Sequence, residues 1–226
     1  MKHALPVPLT LALLLVSCGE HDKQTESHGD GIHKPVIAAV NYPLAYFAER
    51  LSSDFATVLY DVPTNQDPAF WEPGDEQITA IQEADLILLN GATYAKWIST
   101  RTLPDEITVT TSSSFRGKLI AIEGTLKHTH KKGEEAHSHN GLAFTTWLDF
   151  KQASAQASEI ASALAERFPE RKETVMTRLA PLLEDLNNLD IEMAAATSGL
   201  GNAPVIVSHP VYQYWARAYR ITAPSL

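Results

Sequence analysis

The sequence predicts an α/β protein built on a parallel sheet, and three observations carry the prediction. Short apolar runs rich in β-branched residues recur along the chain. Segments with apolar residues every three or four positions lie between them. The chain, with 226 residues and 44% hydrophobic content, is long enough to bury one large or two small cores.

The elements follow in order. Val36 to Val40 is a short apolar run, read as a buried strand. Pro43 to Leu51 places Leu44, Phe47, Ala48 and Leu51 on one helical face. Ala56 to Val62 reads as a second strand, and Glu76 to Ala84, with Ile78 and Ile81 opposite its acids, as a helix. Leu86 to Leu89 is a strand ended by Asn90-Gly91, and Ile107–Thr111 and Lys118–Ile122 are two further strands. From Leu148 the pattern becomes helical. Phe150, Ala153, Ala157, Ile160, Leu164 and Phe168, then Val175, Leu179, Leu182, Leu186, Leu189 and Met193, step by three or four. The simplest reading is a long linking helix over 148–198, with a break at Phe168-Pro169, a bend or restart at Pro181, and an end at Gly199 and Gly201. Pro204 to Val207 is then a strand and Tyr212 to Tyr219 a helix.

The N-terminus reads as an address. Lys2 and His3 precede an apolar stretch, Leu5 to Val16, too short to span a bilayer, which needs roughly 20 residues. It ends in Leu15-Val16-Ser17-Cys18, which resembles a bacterial lipobox, with cleavage before Cys18 and lipid on its thiol. The alternative is an ordinary signal peptide with an incidental Cys. Cys18 is the only cysteine, so no intrachain disulfide is available. Residues 1–17 are thus a signal peptide and 18–35 a lipidated polar tether containing His21, His28 and His33. Removing residues 1–17, with one Lys and no acid, takes the net charge from −9 to −10. That acidic balance excludes a nucleic-acid partner, whose phosphates require a Lys/Arg surface.

The chemistry-bearing residues are histidines. Four of the nine, His128, His130, His137 and His139, fall within twelve residues together with Glu134 and Glu135. In an extended stretch residues i and i+2 point the same way, so each His-x-His can offer two imidazoles to one ion. Neutral imidazole suits zinc and other late divalent metals. The loop can bind metal itself or collect it for another site, and both readings stay open. His209 stands apart, just past the Val205–Val207 run, where ligands bind in open α/β sheets. Signatures of enzymes are missing: there is no His-Glu-x-x-His pair, no Gly-x-Ser-x-Gly elbow and no phosphate loop.

Several segments, taken in order, resemble the metal-binding receptors of zinc, manganese and iron ABC transporters (cluster A-I binding proteins). They are Val40-Asn-Tyr-Pro43, Asp67-Pro-Ala-Phe-Trp-Glu-Pro73, Ala84-Asp-Leu-Ile-Leu-Leu-Asn-Gly91, the His-rich loop, Thr145-Thr-Trp-Leu-Asp149, the long helix, and Ser208-His209 with Tyr214 to Tyr219. The resemblance implies a two-lobed periplasmic binding protein fold, its parallel sheets joined by a long spine helix. Residues 36–147 would form the N-terminal lobe, carrying the His-rich loop at 127–141, and 199–226 the start of a truncated C-terminal lobe. It implies a lipid-anchored receptor in the periplasm or at the cell surface, monomeric and non-catalytic. The receptor would capture zinc, or manganese or iron, and deliver it to an ABC permease with its ATPase. Two of the family's ligand positions depart: its first His falls on Ala69 and its second on Thr145, while His209 matches the third. The expected metal set is therefore His209, His139, His137, His130, His128 and Glu72. Ala69 and Thr145 are also expected to leave room for a metal already held by a chelator, a second reading. A metal-buffering or adhesion lipoprotein on the same fold is a third.

Overall fold

The structure is a computed structural model that describes Met1 and residues 34–122, 127–128, 137–138 and 141–226, the pairs 127–128 and 137–138 by backbone alone. The signal segment, Cys18, the tether histidines, His130 and His139 lie outside the described residues.

Strands β1 (Val36–Ala39), β2 (Thr57–Leu59), β3 (Leu86–Leu89) and β4 (Thr108–Thr110) form one parallel sheet in the order β2-β1-β3-β4. The first four strand runs each hold one of these strands. β3 is buried at all four positions, the signature of a strand covered on both faces. The edge strands are shorter than their runs suggested. β2 stops at Leu59, and β4 keeps only three residues, because an edge strand extends only as far as its single partner pairs with it.

Helices α1 (Tyr42–Ser52) and α2 (Asp75–Gln82) connect β1 to β2 and β2 to β3. The start of α1 is fixed by Asn41, whose Oδ1 accepts from the Leu44 amide at 3.0 Å, with Pro43 in the first turn. Its Leu44, Phe47, Ala48 and Leu51 are buried, as their spacing required.

The anticipated linking helix is two helices. α3 (Phe150–Arg167) and α4 (Lys172–Ser198) are separated by a 3-10 turn at Pro169–Arg171 and pack against each other. A connection of four residues makes them antiparallel neighbours. The break at Phe168-Pro169 is therefore a reversal of direction, and the long helix is α4 alone. Phe168 packs edge-on against Phe55, 5.9 Å between centroids, and seals the reversal. α4 runs through Pro181 unbroken because that residue is on the exposed side, where water can take the carbonyl bond its missing N–H forgoes. Its first half buries Val175, Leu179, Leu182 and Leu186. Arg178 bridges to Asp54 at 2.6 Å and Arg50 to Asp185 at 2.8 Å, tying α4 to the end of α1 and to α1 itself.

Beyond Leu186 no α4 residue is buried, and Ile191 is 58% exposed. Helix α5 (Gln213–Tyr219) follows. The strand expected at Pro204–Val207 is one parallel bridge, Val207 with Ser225, and Ile206 is 66% exposed. Among the described residues nothing flanks it on its other side, so a full strand has no partner to form against. No described helix is long and apolar enough to cross a membrane.

Candidate metal centre

The loops after β1, β3 and β4 meet at the carboxyl edge of the sheet around a buried amide. Asn90, fully buried at the end of β3, accepts on Oδ1 from Asn41 Nδ2 (3.2 Å) and Gln156 Nε2 (3.1 Å), and donates from Nδ2 to the Phe144 carbonyl (2.9 Å). The Thr146 hydroxyl lies 3.2 Å from Asn90 Oδ1 and 3.1 Å from Gln156 Oε1, and Gln156 also donates to Thr111 Oγ1 at 2.9 Å. Five buried polar residues from four parts of the chain thus satisfy one another, which fixes the edge where a ligand would sit.

Gly91 follows with φ +75°. A Cβ there would stand 2.2 Å from Ser112 Oγ, so only glycine fits. Ala92, Thr93 and Ala95 also have positive φ, near 51–60°. The left-handed run is held by burial of Ala92, Tyr94 and Ala95 on either side of exposed Thr93.

Ala69 and Thr145 are both buried. The Ala69 amide donates to Asp67 Oδ1 at 2.9 Å and its carbonyl accepts from the Lys96 amide at 3.3 Å, leaving the residue 1% exposed. Next in the chain Phe70 meets Phe144 (6.3 Å), Tyr94 meets Phe144 (5.5 Å), and Tyr94 meets Trp147 (5.7 Å), all edge to face. Burial, reinforced by the nearby Tyr60 and Asp67, pushes the Tyr94 hydroxyl far above the usual tyrosine range, so it stays neutral. Phe70, Tyr94, Phe144 and Trp147 thus form a chain of ring contacts that joins the segments bearing Ala69 and Thr145.

Thr145 instead reaches the C-terminal segment: its hydroxyl donates to the carbonyl of Val211, two residues past His209. His209 is exposed, with Nδ1 3.0 Å from Ser208 Oγ. Glu72 is exposed beside buried Trp71. The His-rich excursion leaves and returns through the antiparallel pair β5 (Ala121–Ile122) and β8 (Gly141–Leu142). Within it β6 (Lys127–His128) and β7 (His137–Ser138) set His128 in register with His137. Among the described residues no three His, Cys, Asp or Glu side chains converge as a metal site, so Glu72 and His209 do not form one with a third described ligand.

Residues 37–226 match the family model described as "Zinc-uptake complex component A periplasmic". The chain belongs to that family. A manganese-binding lipoprotein, MntA, of Halalkalibacterium halodurans is 23% identical over 94% of this chain and 66% of its own length. A zinc-binding lipoprotein, AdcA, of Streptococcus pneumoniae is 26% identical over 96% of this chain and 42% of its own. The chain therefore spans two thirds or less of these relatives. Two solved structures share the fold: the metal-dependent lipoprotein YcdH of Bacillus subtilis and Zn(II)-bound AdcA of Streptococcus pneumoniae. YcdH has a TM-score of 0.71 at 19% identity, covering 85% of this chain and 67% of that one. AdcA has 0.70 at 21%, covering 85% and 39%. Within the family, the four-stranded parallel sheet and long α4 are the two-lobed receptor architecture that the ordered motifs implied.

Proposed function

We propose that the chain is the extracytoplasmic substrate-binding component of an ABC importer. It captures a divalent metal ion and hands it to a membrane permease worked by an ATPase. The observation that carries this reading is the match of residues 37–226 to a zinc-uptake component, joined by relatives named as zinc- and manganese-binding lipoproteins. Zinc is the proposed cargo because the available donors are imidazoles, which suit it better than manganese or iron. Lipid on Cys18 would hold the protein at the membrane, in the periplasm or at the cell surface, and the protein acts as a monomer and without catalysis.

The ligand set differs from a cleft held equally by both halves. With Ala69 and Thr145 in packed surroundings, His209 supplies the donor from the C-terminal segment. His128, His130, His137 and His139 supply the remainder from the loop rooted at β5 and β8, with Glu72 as an accessory carboxylate. Imidazole must be neutral to ligate, so capture weakens as pH falls toward 5.

The test is competitive zinc titration of the full chain against variants in which the four loop histidines, or His209, are changed to Ala. Each change is expected to weaken zinc at least tenfold. Wild-type affinity in both variants would overturn the ligand assignment. Tighter binding of manganese than zinc by the wild type would overturn the choice of cargo.

A further inference from the structure

The segment that bears His209 is fastened to the root of the His-rich loop by side chains that involve no metal donor. Tyr214, fully buried in α5, donates to the Ala143 carbonyl at 2.9 Å, and its oxygen accepts from the Ile120 amide at 3.2 Å. Ile120 and Ala143 are themselves joined, amide of Ala143 to carbonyl of Ile120 at 2.8 Å, immediately outside β5 and β8. One hydroxyl therefore staples both strands at the root of the loop. Three residues along α5, Arg217 donates to the Lys118 carbonyl at 2.6 Å and stands 3.8 Å from Asp149. On the other side of Tyr214, Thr145 donates to Val211. The turn between them is closed within itself: the Val211 amide donates to the His209 carbonyl at 2.9 Å and Gln213 Nε2 to the Pro210 carbonyl at 2.6 Å.

We infer that Thr145 and Tyr214 form a clamp that fixes the His209 turn against the loop root before any ligand arrives. A binding protein whose halves are joined only through its ligand has to order them on binding and loses affinity to that cost. Here the bonds that would order them are intrachain and permanent, so binding changes local contacts and leaves the arrangement of the two segments alone. Thr145 and Tyr214 are positioning residues: they set where His209 stands and donate nothing to the ion. The inference holds whether or not the cargo proposed above is zinc, because the clamp contains no donor to it.

Hydrogen exchange on the metal-free full chain, followed amide by amide, tests this. Tyr214→Phe removes the staple and is expected to speed exchange at Ile120 at least tenfold. Thr145→Val is expected to do the same at Val211, while Thr145→Ser, which keeps the hydroxyl, restores wild-type exchange. The amide of Ile160 in α3 should stay unchanged in all three, which separates a released clamp from a chain unfolded throughout. If Tyr214→Phe raises Ile160 as well, the Val and Ser pair at Thr145 decides the matter alone. Adding zinc to the wild type should change Ile120 and Val211 less than twofold. Wild-type exchange at Val211 in Thr145→Val would overturn the clamp, as would tenfold slowing by zinc, since the metal would then be making the closure. A parallel zinc titration reports on the cargo independently of these readouts.

Discussion

Replacing Asn90 by Ala removes the hub of the carboxyl-edge network, and its cost can be worked from the bonds it breaks. One partner loses an Asn90 bond that none of its other bonds replaces, Asn41 Nδ2, on a residue 1% exposed, while the Phe144 carbonyl keeps the Thr146 amide at 2.9 Å. Gln156 keeps Thr111 through the same nitrogen. A buried polar group stripped of its partner costs about 1–3 kcal/mol, so the loss at Asn41 costs about 2 kcal/mol, with a smaller addition for the vacated side-chain volume. Against a typical stability of about 5–15 kcal/mol that is a large fraction. In urea, with a slope of about 2 kcal/mol per M, the midpoint should fall by about 1 M. The assay is equilibrium unfolding followed by tryptophan fluorescence. Asn90→Asp adds a second arm. It loses the donor to Phe144 and buries a charge, so at neutral pH it should be at least as unstable as Asn90→Ala. As pH falls the buried carboxyl protonates, regains a donor and recovers relative to Ala. A midpoint shift below about 0.5 M for Asn90→Ala, or no recovery of Asn90→Asp in acid, would refute the view that this network holds the edge together.

Gly91→Ala should cost about 2–4 kcal/mol in the same unfolding assay, combining a left-handed φ with a Cβ 2.2 Å from Ser112 Oγ and 2.8 Å from Thr110 Cγ2. Tyr94, whose hydroxyl is held far above the tyrosine range, makes stability fall once pH exceeds about 10, because the unfolded chain releases that proton while the folded chain keeps it. Tyr94→Phe should therefore flatten the alkaline limb of the stability profile, and an unaltered slope would contradict the assignment. The double change Ala69→His with Thr145→His should lower stability by about 2–4 kcal/mol and improve zinc affinity by less than tenfold. The first imidazole enters a packed position and the second breaks the bond to Val211. A hundredfold gain in zinc affinity would show that the cleft is intact apart from its ligands.

The parallel sheet was legible because its two central strands, β1 and β3, are continuous apolar runs, which is what burial on both faces demands. β3 shows it most plainly, and the edge strands β2 and β4 came out short because partners, not composition, set their ends. The periodicity of α3 and α4 was legible, and so was the break between them. The reversal was not, since an apolar stripe every three or four residues reads the same whether the chain goes on or turns back. At the site, His209 was visible as a lone imidazole after an apolar run. Asn41, Asn90, Thr111, Thr146 and Gln156 were not, because a polar residue that will be buried leaves no periodic mark. The bond from Thr145 to Val211 spans 66 positions and is a product of tertiary packing alone.

Thr145 links these observations. An imidazole at that place would face the ion. A threonine there faces the backbone two residues past His209, so a position that could have contributed affinity contributes order instead. Ala69 likewise offers no donor: it is 1% exposed, and its amide donates to Asp67 Oδ1. In the ligand set proposed above, the donors therefore come from the His-rich loop and His209 rather than from these two positions. The loop is rooted in two-residue strands, and strands so short need an anchor if the loop between them is to have a fixed base. Tyr214 is that anchor, since its hydroxyl holds both strands and its helix begins four residues after His209. If the loop histidines are the donors proposed above, then without the staple they would have no fixed base from which to meet His209.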